Sequence, residues 1–379
     1  MNNSRYPFQK SWRWFFIKAF DFLSRPFAHK NRQKLFPESV KNILVIRIDH
    51  IGDVVCSIPV FEALKENYPQ AKITALVSKE GAEILKGNPF IDQVVVFQAN
   101  WFSRGGIFNP SMFFQICFRF KKENFDLGYD LRGDLRNILL MVFANVHFRI
   151  GYGIAGGGAL LHREVDYDLN LHQAELNLKL ISDKKKRLEG IIPKIYLEAS
   201  EQKAAQAVLK ESGVQPGEFL IALHPEAGSP AKEWKSENFI QLINEFAKIP
   251  KTRVLILGLS RAKTIGARVS SPKVLNFGGR ISLRQMIAVL NFCHLFVGHD
   301  SGPSHLAQAL NVPSVILASG TNEYHKWGIW HKSSRILSHS VPCAPCHLSV
   351  CIVEGHPCMS QIKVHEVLNA VNELTKVSA

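Results

Sequence analysis

The sequence lacks any long uncharged apolar run and any recognisable nucleic-acid-binding motif. No stretch of about 18 apolar residues free of charge occurs in its 379 residues, so we expect no membrane-spanning helix. No signal peptide is recognised either, because the apolar residues near the N-terminus are largely aromatic, are interrupted by charges and precede no small-residue cleavage site. These absences argue against a secreted protein, and we expect no nucleic-acid partner.

Acidic residues are scarce relative to basic ones. The chain has 46 Lys and Arg against 32 Asp and Glu, a formal net charge of +14, which suits a polyanionic partner such as a membrane surface or a phosphorylated substrate. Half of this excess lies in residues 1–41, where nine basic residues face only Asp21 and Glu38.

Residues 1–41 also contain an aromatic amphipathic pattern. Apolar side chains recur at the three-and-four spacing of one helical face, basic residues surround that face, and Pro26 should end the helix. The pattern is typical of a helix that lies on an anionic membrane surface. The alternative is a helix packed on the protein's own surface. The apolar face consists of Trp12, Phe15, Phe16, Ala19, Phe20 and Leu23.

The rest of the chain alternates between short β-branched runs and helical patterns, which predicts an α/β fold. The alternation is interrupted at 183–190 by DKKKRLEG, whose composition is typical of an exposed linker. We therefore predict a basic arm over 1–41, a first α/β domain over 42–190 and a second over 191–379. The last helix of the second domain could pack back on the first.

Residues 43–48 form the strand on which the first domain should be centred. The run ILVIRI is apolar apart from Arg47, as expected for an inner parallel strand. The loop that follows this strand carries Asp49, Gly52 and Asp53, and it lies at the carboxyl end of the strand, where open α/β sheets bind ligands. Gly52 permits a backbone turn there. Asp53 is the leading candidate for chemistry; alternatively, it caps the following helix.

Two further segments of the first domain are of interest. Arg132 and Arg136 follow a predicted strand at 126–131, where they could receive an acidic or phosphorylated substrate, or could be solvated residues of a helix start. Before that strand, residues 101–125 contain seven Phe and a basic end. They form either a buried helix or a second apolar and basic surface for a lipid-linked partner.

The second domain repeats this arrangement at two strand ends. The segment LHPEAGSPAKEW leaves a strand and presents Lys232 before a helix, a setting that suits a phosphate. The segment LFVGHDSGPSHLAQAL is a strand, a loop and a helix whose first N–H groups would point at an anion, and Pro303 fits the first helical turn. Alternatively, Asp300 or Ser301 is a plain helix cap and His305 is a packed helix residue.

No metal ligand is predicted. Asp166 and Asp168 form a D-x-D pair, but this match is too short to indicate a metal site. Four of the seven cysteines have the spacing C-x2-C-x4-C-x6-C, which could hold a structural zinc ion. Zinc is not favoured, because this spacing is not a common finger pattern and free thiols or an air-oxidised pair explain it as well. These cysteines are Cys343, Cys346, Cys351 and Cys358.

Taken together and in order, these segments resemble glycosyltransferase family 9, the heptosyltransferases of lipopolysaccharide core assembly. The resemblance covers about residues 43–371. It implies a GT-B fold, with two Rossmann-like domains and an interdomain cleft, the donor held mainly by the C-terminal domain and the acceptor by the N-terminal one. The segments that carry it are VIRIDHIGDVVCSIPVFEALK, YDLRGDLR, LHPEAGSPAKEWKSENF, FVGHDSGPSHLAQALNVPSVIL and CAPC.

By this resemblance, Asp53 matches the general base of the family, and Gly52, Arg132 and Arg136 lie on the acceptor side. Glu226 departs from the family pattern, where Gly is frequent, and a carboxylate beside a diphosphate is unfavourable. The residues expected on the donor side are Gly228, Ser229, Lys232, Asp300, Ser301, Gly302, Pro303, Ser304 and His305.

The resemblance implies an inverting, metal-independent transfer of heptose from a nucleotide sugar, ADP-heptose, to a lipid-linked core saccharide. It implies no cofactor and a peripheral position on the cytoplasmic face of the inner membrane. The alternatives are a family 9 enzyme with another sugar and acceptor, or a non-catalytic nucleotide-sugar or nucleic-acid binder.

Overall fold

A computed structural model describes residues 17, 19–24, 26, 34–99, 109–181, 192–328 and 333–375. The chain divides into two compact units, Met1–Pro193 and Lys194–Ala379, so the division falls close to the predicted boundary at residue 190. The predicted linker at 183–190 and most of the predicted arm lie outside the described residues. Among the helices that are described, none is long and apolar enough to cross a membrane.

The N-terminal unit is built on a six-stranded sheet with the order β3-β2-β1-β4-β5-β6. All its strand pairs are parallel, and Ile43 lies between Ile73 and Leu127. Helices cover such a sheet on both faces, which explains why its strands are continuous apolar runs. The strands are β1 (Asn42–Arg47), β2 (Lys72–Val77), β3 (Gln93–Val96), β4 (Leu127–Asp130), β5 (Phe148–Gly151) and β6 (Arg163–Glu164).

Five described α-helices follow β1 in this unit. Helix α1 begins three residues earlier than the predicted helix, so Gly52 and Asp53 lie in its first turn and not in a loop. Gly52 has helical backbone, and the special turn expected there is wrong. His50 is the N-cap, because its backbone is still extended. The helices are α1 (Ile51–Asn67), α2 (Lys79–Leu85), α3 (Pro110–Lys121), α4 (Leu135–Phe143) and α5 (Gln173–Lys179).

The C-terminal unit has a second six-stranded parallel sheet, with the order β12-β11-β10-β7-β8-β9. Its strands are β7 (Phe219–His224), β8 (Thr252–Ile256), β9 (Val274–Asn276), β10 (Leu295–His299), β11 (Ser314–Leu317) and β12 (Ser334–Leu337). Its helices are α6 (Ala199–Glu211), α7 (Ser236–Lys248), α8 (Ser260–Ala267), α9 (Leu283–Leu290), α10 (Gly302–Ala309), α11 (Tyr324–Trp327), α12 (Pro357–Ser360) and α13 (Val364–Thr375).

The last helix, α13, packs into the core of its own unit. Val364, Val367, Ala370 and Val371 belong to the same buried cluster as the strands and α7. The sequence left open whether this helix packs back on the first domain; the described contacts show its apolar face buried in the C-terminal unit.

Strand order decides which loops meet in each unit. In the first sheet β1 lies between β2 and β4, and in the second sheet β10 lies between β7 and β11. Loops that leave adjacent parallel strands in opposite directions open a crevice at the carboxyl edge of the sheet. The loop after β1 therefore meets the loop after β4, and the loop after β7 meets the loop after β10.

Candidate active site

In the N-terminal unit, a buried arginine holds the carboxylate that the sequence singled out. The Arg47 side chain is only 2% exposed, and its Nη2 donates to Asp53 Oδ1 at 2.8 Å. Its Nη1 donates to the Leu131 carbonyl at 2.6 Å. Asp53 Oδ2 receives no hydrogen bond from the described residues. One carboxylate oxygen is thus held in place, and the other can receive a proton.

A second carboxylate stands beside the first. Asp49 is 6% exposed, and its Oδ2 lies 3.8 Å from Arg47 Nη2. Its Oδ1 accepts a hydrogen bond from Arg132 Nη1 and another from the His50 backbone N–H at 3.0 Å. Asp49 therefore links the loop after β1 to the loop after β4.

The start of α4 is fixed by two more carboxylates. Asp130 is fully buried at the end of β4 and accepts hydrogen bonds from Asn137 Nδ2 at 2.9 Å, from the Asp134 N–H at 2.9 Å and from the Arg132 N–H at 3.2 Å. Asp134 is the N-cap of α4 and takes two hydrogen bonds, at 2.8 and 2.6 Å, from the guanidinium of Arg136.

Burial and charge together set the acidity of these groups. The pKa of Asp53 is raised to about 6, first by burial and then by the nearby Asp49, while Arg47, Arg132 and His50 act in the opposite direction. Burial likewise raises the pKa of Asp130 to about 7, although its hydrogen bonds favour the carboxylate. Burial alone would lower the pKa of Arg47, but Asp53 and Asp49 raise it above its usual value.

The structure thus brings most of the predicted acceptor residues together. Gly52 lies in the same turn as Asp53, and Arg132 reaches the site through Asp49. Arg136 pairs with Asp134 beside the start of α4. The role of Arg47 was not predicted from the sequence. Its signal was present, because it is the one charged residue inside an otherwise apolar strand.

In the C-terminal unit, a neutral histidine holds the loop that carries Lys232. His299 is fully buried at the end of β10, and its Nε2 accepts a hydrogen bond from the Trp234 backbone N–H at 2.8 Å. Burial lowers the pKa of His299 to about 3, so the ring is neutral and can accept. Lys232 Nζ consequently lies near Asp300, 3.1 Å from its carbonyl oxygen and 3.3 Å from Oδ2.

The start of α10 has the form that the sequence predicted. Ser301 is the N-cap, and Gly302 and Pro303 open the first turn. Ser304 Oγ donates to the Ser301 carbonyl at 2.7 Å, and the side chain is buried. His305 is also buried, at 4% exposure, which favours its alternative interpretation as a packed helix residue.

Gly228 and Ser229 lie in the segment that connects β7 to Lys232. A Cβ on Gly228 would meet nothing within 4 Å, so the backbone there is open to an approaching ligand. Ser229 caps the short 3₁₀ turn Pro230–Lys232. Both residues therefore border the Lys232 and Asp300 pair, and their contact with a donor stays a prediction.

Glu226 serves a purpose that the sequence did not reveal. Its Oε2 accepts the Leu259 N–H at 2.8 Å, and its Oε1 accepts the N–H groups of Arg261 and Ala262 at 2.7 and 3.1 Å. The carboxylate is thus held at the N-terminus of α8, where the helix dipole stabilises negative charge. This placement compensates the charge that we considered unfavourable beside a diphosphate.

The four C-terminal cysteines are all free thiols, and Cys358 alone among them is buried. Burial raises the pKa of Cys358, and the other three thiols of the group raise it further. Across the residues that the structure describes, no three His, Cys, Asp or Glu side chains are arranged to hold a metal ion. Zinc binding by these cysteines is therefore not supported by their placement, and it stays untested.

The chain is similar to known glycosyltransferases. The family described as "Glycosyltransferase family 9 (heptosyltransferase)" matches residues 114–356. Lipopolysaccharide heptosyltransferase 3 of Escherichia coli is 24% identical over 298 residues, which cover 74% of this chain and 83% of that protein.

Two solved structures share the fold. A family 9 glycosyltransferase from Veillonella parvula aligns with a TM-score of 0.77 at 18% identity, over 90% of this chain and 99% of its own. The E. coli ADP-heptose lps heptosyltransferase II aligns with a TM-score of 0.72 at 20% identity, over 88% of this chain and 98% of its own. The predicted fold class, two Rossmann-like α/β domains of the GT-B type, is confirmed.

The Asp49 carboxylate makes a testable contribution to the acidity of Asp53. Asp49→Asn should lower the pKa of Asp53 below its value of about 6, because a neighbouring negative charge is removed while Arg47, Arg132 and His50 still favour the carboxylate. Carboxyl carbon NMR against pH measures this value, with the Asp53 signal assigned by its loss in Asp53→Asn. The groups facing Asp53 are Arg47, Asp49, His50, Arg132 and Tyr167.

Asp92→Asn is the matched control. Asp92 pairs with Lys65 on the surface of the same unit, so removing its charge should leave the Asp53 titration unchanged. An Asp53 pKa that stays at about 6 in Asp49→Asn would contradict the electrostatic role assigned to Asp49.

Proposed function

Because the chain belongs to glycosyltransferase family 9 and is thus a glycosyltransferase, we propose that it transfers a heptose from ADP-heptose to a lipid-linked lipopolysaccharide core saccharide. The observation that carries this proposal is Asp53, a carboxylate with one oxygen held by Arg47 at the carboxyl edge of the sheet. The names of the relatives support the sugar and the acceptor, since they include lipopolysaccharide heptosyltransferases and an ADP-heptose enzyme.

The proposed chemistry is a single displacement with inversion. Asp53 takes the proton of the acceptor hydroxyl, the hydroxyl oxygen forms a bond to the anomeric carbon, and the bond from that carbon to the diphosphate breaks. The electron pair of the broken bond leaves with the nucleoside diphosphate. A pKa of about 6 suits this step, because the carboxylate predominates at neutral pH and is still basic enough to accept a proton.

Arg47 and Asp49 are positioning residues in this scheme. The Arg47 hydrogen bond fixes the direction in which Asp53 presents its second oxygen. Asp49 keeps Asp53 basic and holds Arg132, which is one-third exposed, at the edge of the site. A guanidinium in that position can bind an acidic group of the acceptor.

Leaving-group stabilisation is assigned to the C-terminal unit. The Lys232 ammonium group already contacts the loop after β10, where it donates to the Asp300 carbonyl. The first N–H groups of α10 add partial positive charge beside it. A bound diphosphate would replace the Asp300 carboxylate as the ionic partner of Lys232. These fixed charges can stabilise the developing charge without a metal ion.

A peripheral position on the cytoplasmic face of the inner membrane completes the proposal. The aromatic, basic pattern of residues 5–25 supports it, because an interfacial helix would hold the enzyme where a lipid-linked acceptor is embedded.

Loss of the base should abolish most turnover. Asp53→Asn is expected to lower kcat by about 100- to 10,000-fold, with little effect on donor binding, because only the proton-accepting group is removed. Turnover is measured as ADP release with ADP-heptose and a core acceptor, and the same assay is run with a panel of other nucleotide sugars.

The unchanged protein should also show a pH dependence. Its kcat/KM should decrease as the pH is lowered through about 6, because Asp53 becomes protonated and can no longer accept a proton.

The Asp92→Asn variant again serves as the control, and circular dichroism checks that each variant is folded. Near-normal turnover in Asp53→Asn would overturn the assignment of the base. Release of nucleoside diphosphate from another sugar donor alone would retain the reaction class but replace the heptose.

Lys232 provides a separate test of the donor site. Lys232→Ala should weaken ADP binding by about 10- to 100-fold, the effect expected for losing a charged hydrogen bond. Isothermal titration calorimetry measures the affinity. Lys235→Ala is the matched control, because Lys235 is exposed three residues along the chain and makes no contact with the loop after β10 among those described. Equal affinities in both variants would remove Lys232 from the donor site.

Metal independence is tested by chelation. Turnover should survive EDTA, since fixed cationic groups replace a divalent ion in the proposed site and neither Asp166 nor Asp168 is assigned a metal. Elemental analysis of protein purified without chelators, together with a thiol count, examines the four cysteines in the same sample. Activity lost in EDTA and restored by Mg²⁺ would contradict the proposal, whereas about one zinc per chain would place a structural ion at the cysteines.

A further inference from the structure

One face of α3 and the end of α4 expose a cluster of phenylalanines. Phe114 and Phe118, one helical turn apart, are 42% and 66% exposed, and Phe143 at the end of α4 is 49% exposed. The rings of Phe114 and Phe143 are in edge contact, with centroids 5.6 Å apart. We call Phe114, Phe118 and Phe143 the aromatic patch. Its members are contiguous and do not resemble single apolar residues scattered over a surface.

The aromatic patch is not required to fill the core beneath it. The opposite face of α3 already does so with Phe113, Ile116, Cys117 and Phe120, all of which are buried against β1, β2 and α4. Both alternatives drawn from the sequence are therefore partly right: the helix is buried on one side and exposes aromatic rings on the other.

Positive charge accompanies the patch. Arg119, Lys121 and Lys122 are exposed at the same end of α3 as Phe118. Helix α3 itself contains no Asp or Glu. Aromatic side chains beside several Lys and Arg are typical of surfaces that enter the interface of an anionic bilayer, and the one carboxylate that directly follows them, Glu123, leaves this end of α3 with a net positive charge.

Charge also decides between possible occupants. A second copy of this chain would bring the same basic residues together, and the whole chain carries +14, so self-association through the patch is opposed by repulsion. An anionic bilayer satisfies both features, because acyl chains accept the rings and phosphate headgroups accept the basic side chains.

We propose that the aromatic patch inserts into anionic phospholipid bilayers and forms a membrane contact of the N-terminal unit that is separate from the arm of residues 1–41. The contact adds to the proposed function but does not depend on it, since neither donor, acceptor nor Asp53 takes part. Two attachment points on one unit would restrict its orientation on the bilayer as well as its distance from it.

A photocrosslinking experiment tests insertion directly. The full chain carrying p-benzoylphenylalanine in place of Phe118 is mixed with vesicles of phosphatidylglycerol and phosphatidylcholine, irradiated and analysed for lipid adducts. We expect a phospholipid adduct at this position. The same group in place of Ile352, which is 82% exposed on the C-terminal unit, is the matched control and should give none. Absence of an adduct at position 118 would overturn the proposal, whether or not the protein sediments with the vesicles.

A substitution experiment measures the contribution to binding. Phe114→Ser with Phe118→Ser should weaken partitioning into these vesicles by at least about tenfold, and pure phosphatidylcholine vesicles should bind the unchanged protein more weakly, because the basic residues then have no anionic partner. The control is Leu259→Ser with Ile352→Ser, which removes two comparably exposed apolar side chains from the other unit.

Thermal unfolding followed by circular dichroism establishes that both double variants are folded. Equal binding by the two double variants would contradict the proposal. Sedimentation provides a second check. If the unchanged protein forms a dimer and the double phenylalanine variant does not, the patch is an interface between copies of this chain and the proposal is contradicted.

Discussion

The arrangement of the N-terminal unit depends on one buried cation. Arg47 stands at the end of an apolar central strand with 2% of its side chain exposed, and a charge in that position is stable only if carboxylates and carbonyl oxygens surround it. The required partners come from three places: Asp49 in the loop after β1, Asp53 in the first turn of α1, and the carbonyl of Leu131, which directly follows β4. The charge of Arg47 therefore determines where the Asp53 carboxylate points.

In the C-terminal unit, polar groups likewise hold a loop in place. His299 is neutral and acts as a buried acceptor, and the Glu226 carboxylate is held by backbone N–H groups at the start of α8. Both groups fix the loop between β7 and α7 through hydrogen bonds with backbone N–H groups. Lys232 is the cation that this loop pairs with Asp300 on the neighbouring loop. An anionic ligand at that point has one carboxylate to displace.

The two units thus offer complementary chemistry. One presents a carboxylate whose basicity is raised by burial and by a second carboxylate, and the other presents a lysine beside a helix N-terminus. Transfer of a sugar from a diphosphate requires a proton acceptor for the incoming hydroxyl and positive charge for the outgoing phosphates. In the proposed function, Asp53 is assigned the first requirement, and Lys232 with the start of α10 is assigned the second.

The sequence by itself determined the alternation of strands and helices, the polar loops behind β1, β4, β7 and β10, and the family, because these depend on local periodicity and short motifs. It did not determine which face of α3 is exposed, that Glu226 caps α8, or that Arg47 holds Asp53. Those outcomes were decided by strand order and burial, which bring together residues distant in the chain. Local patterns carry no information about such partners, and only the tertiary structure identifies them.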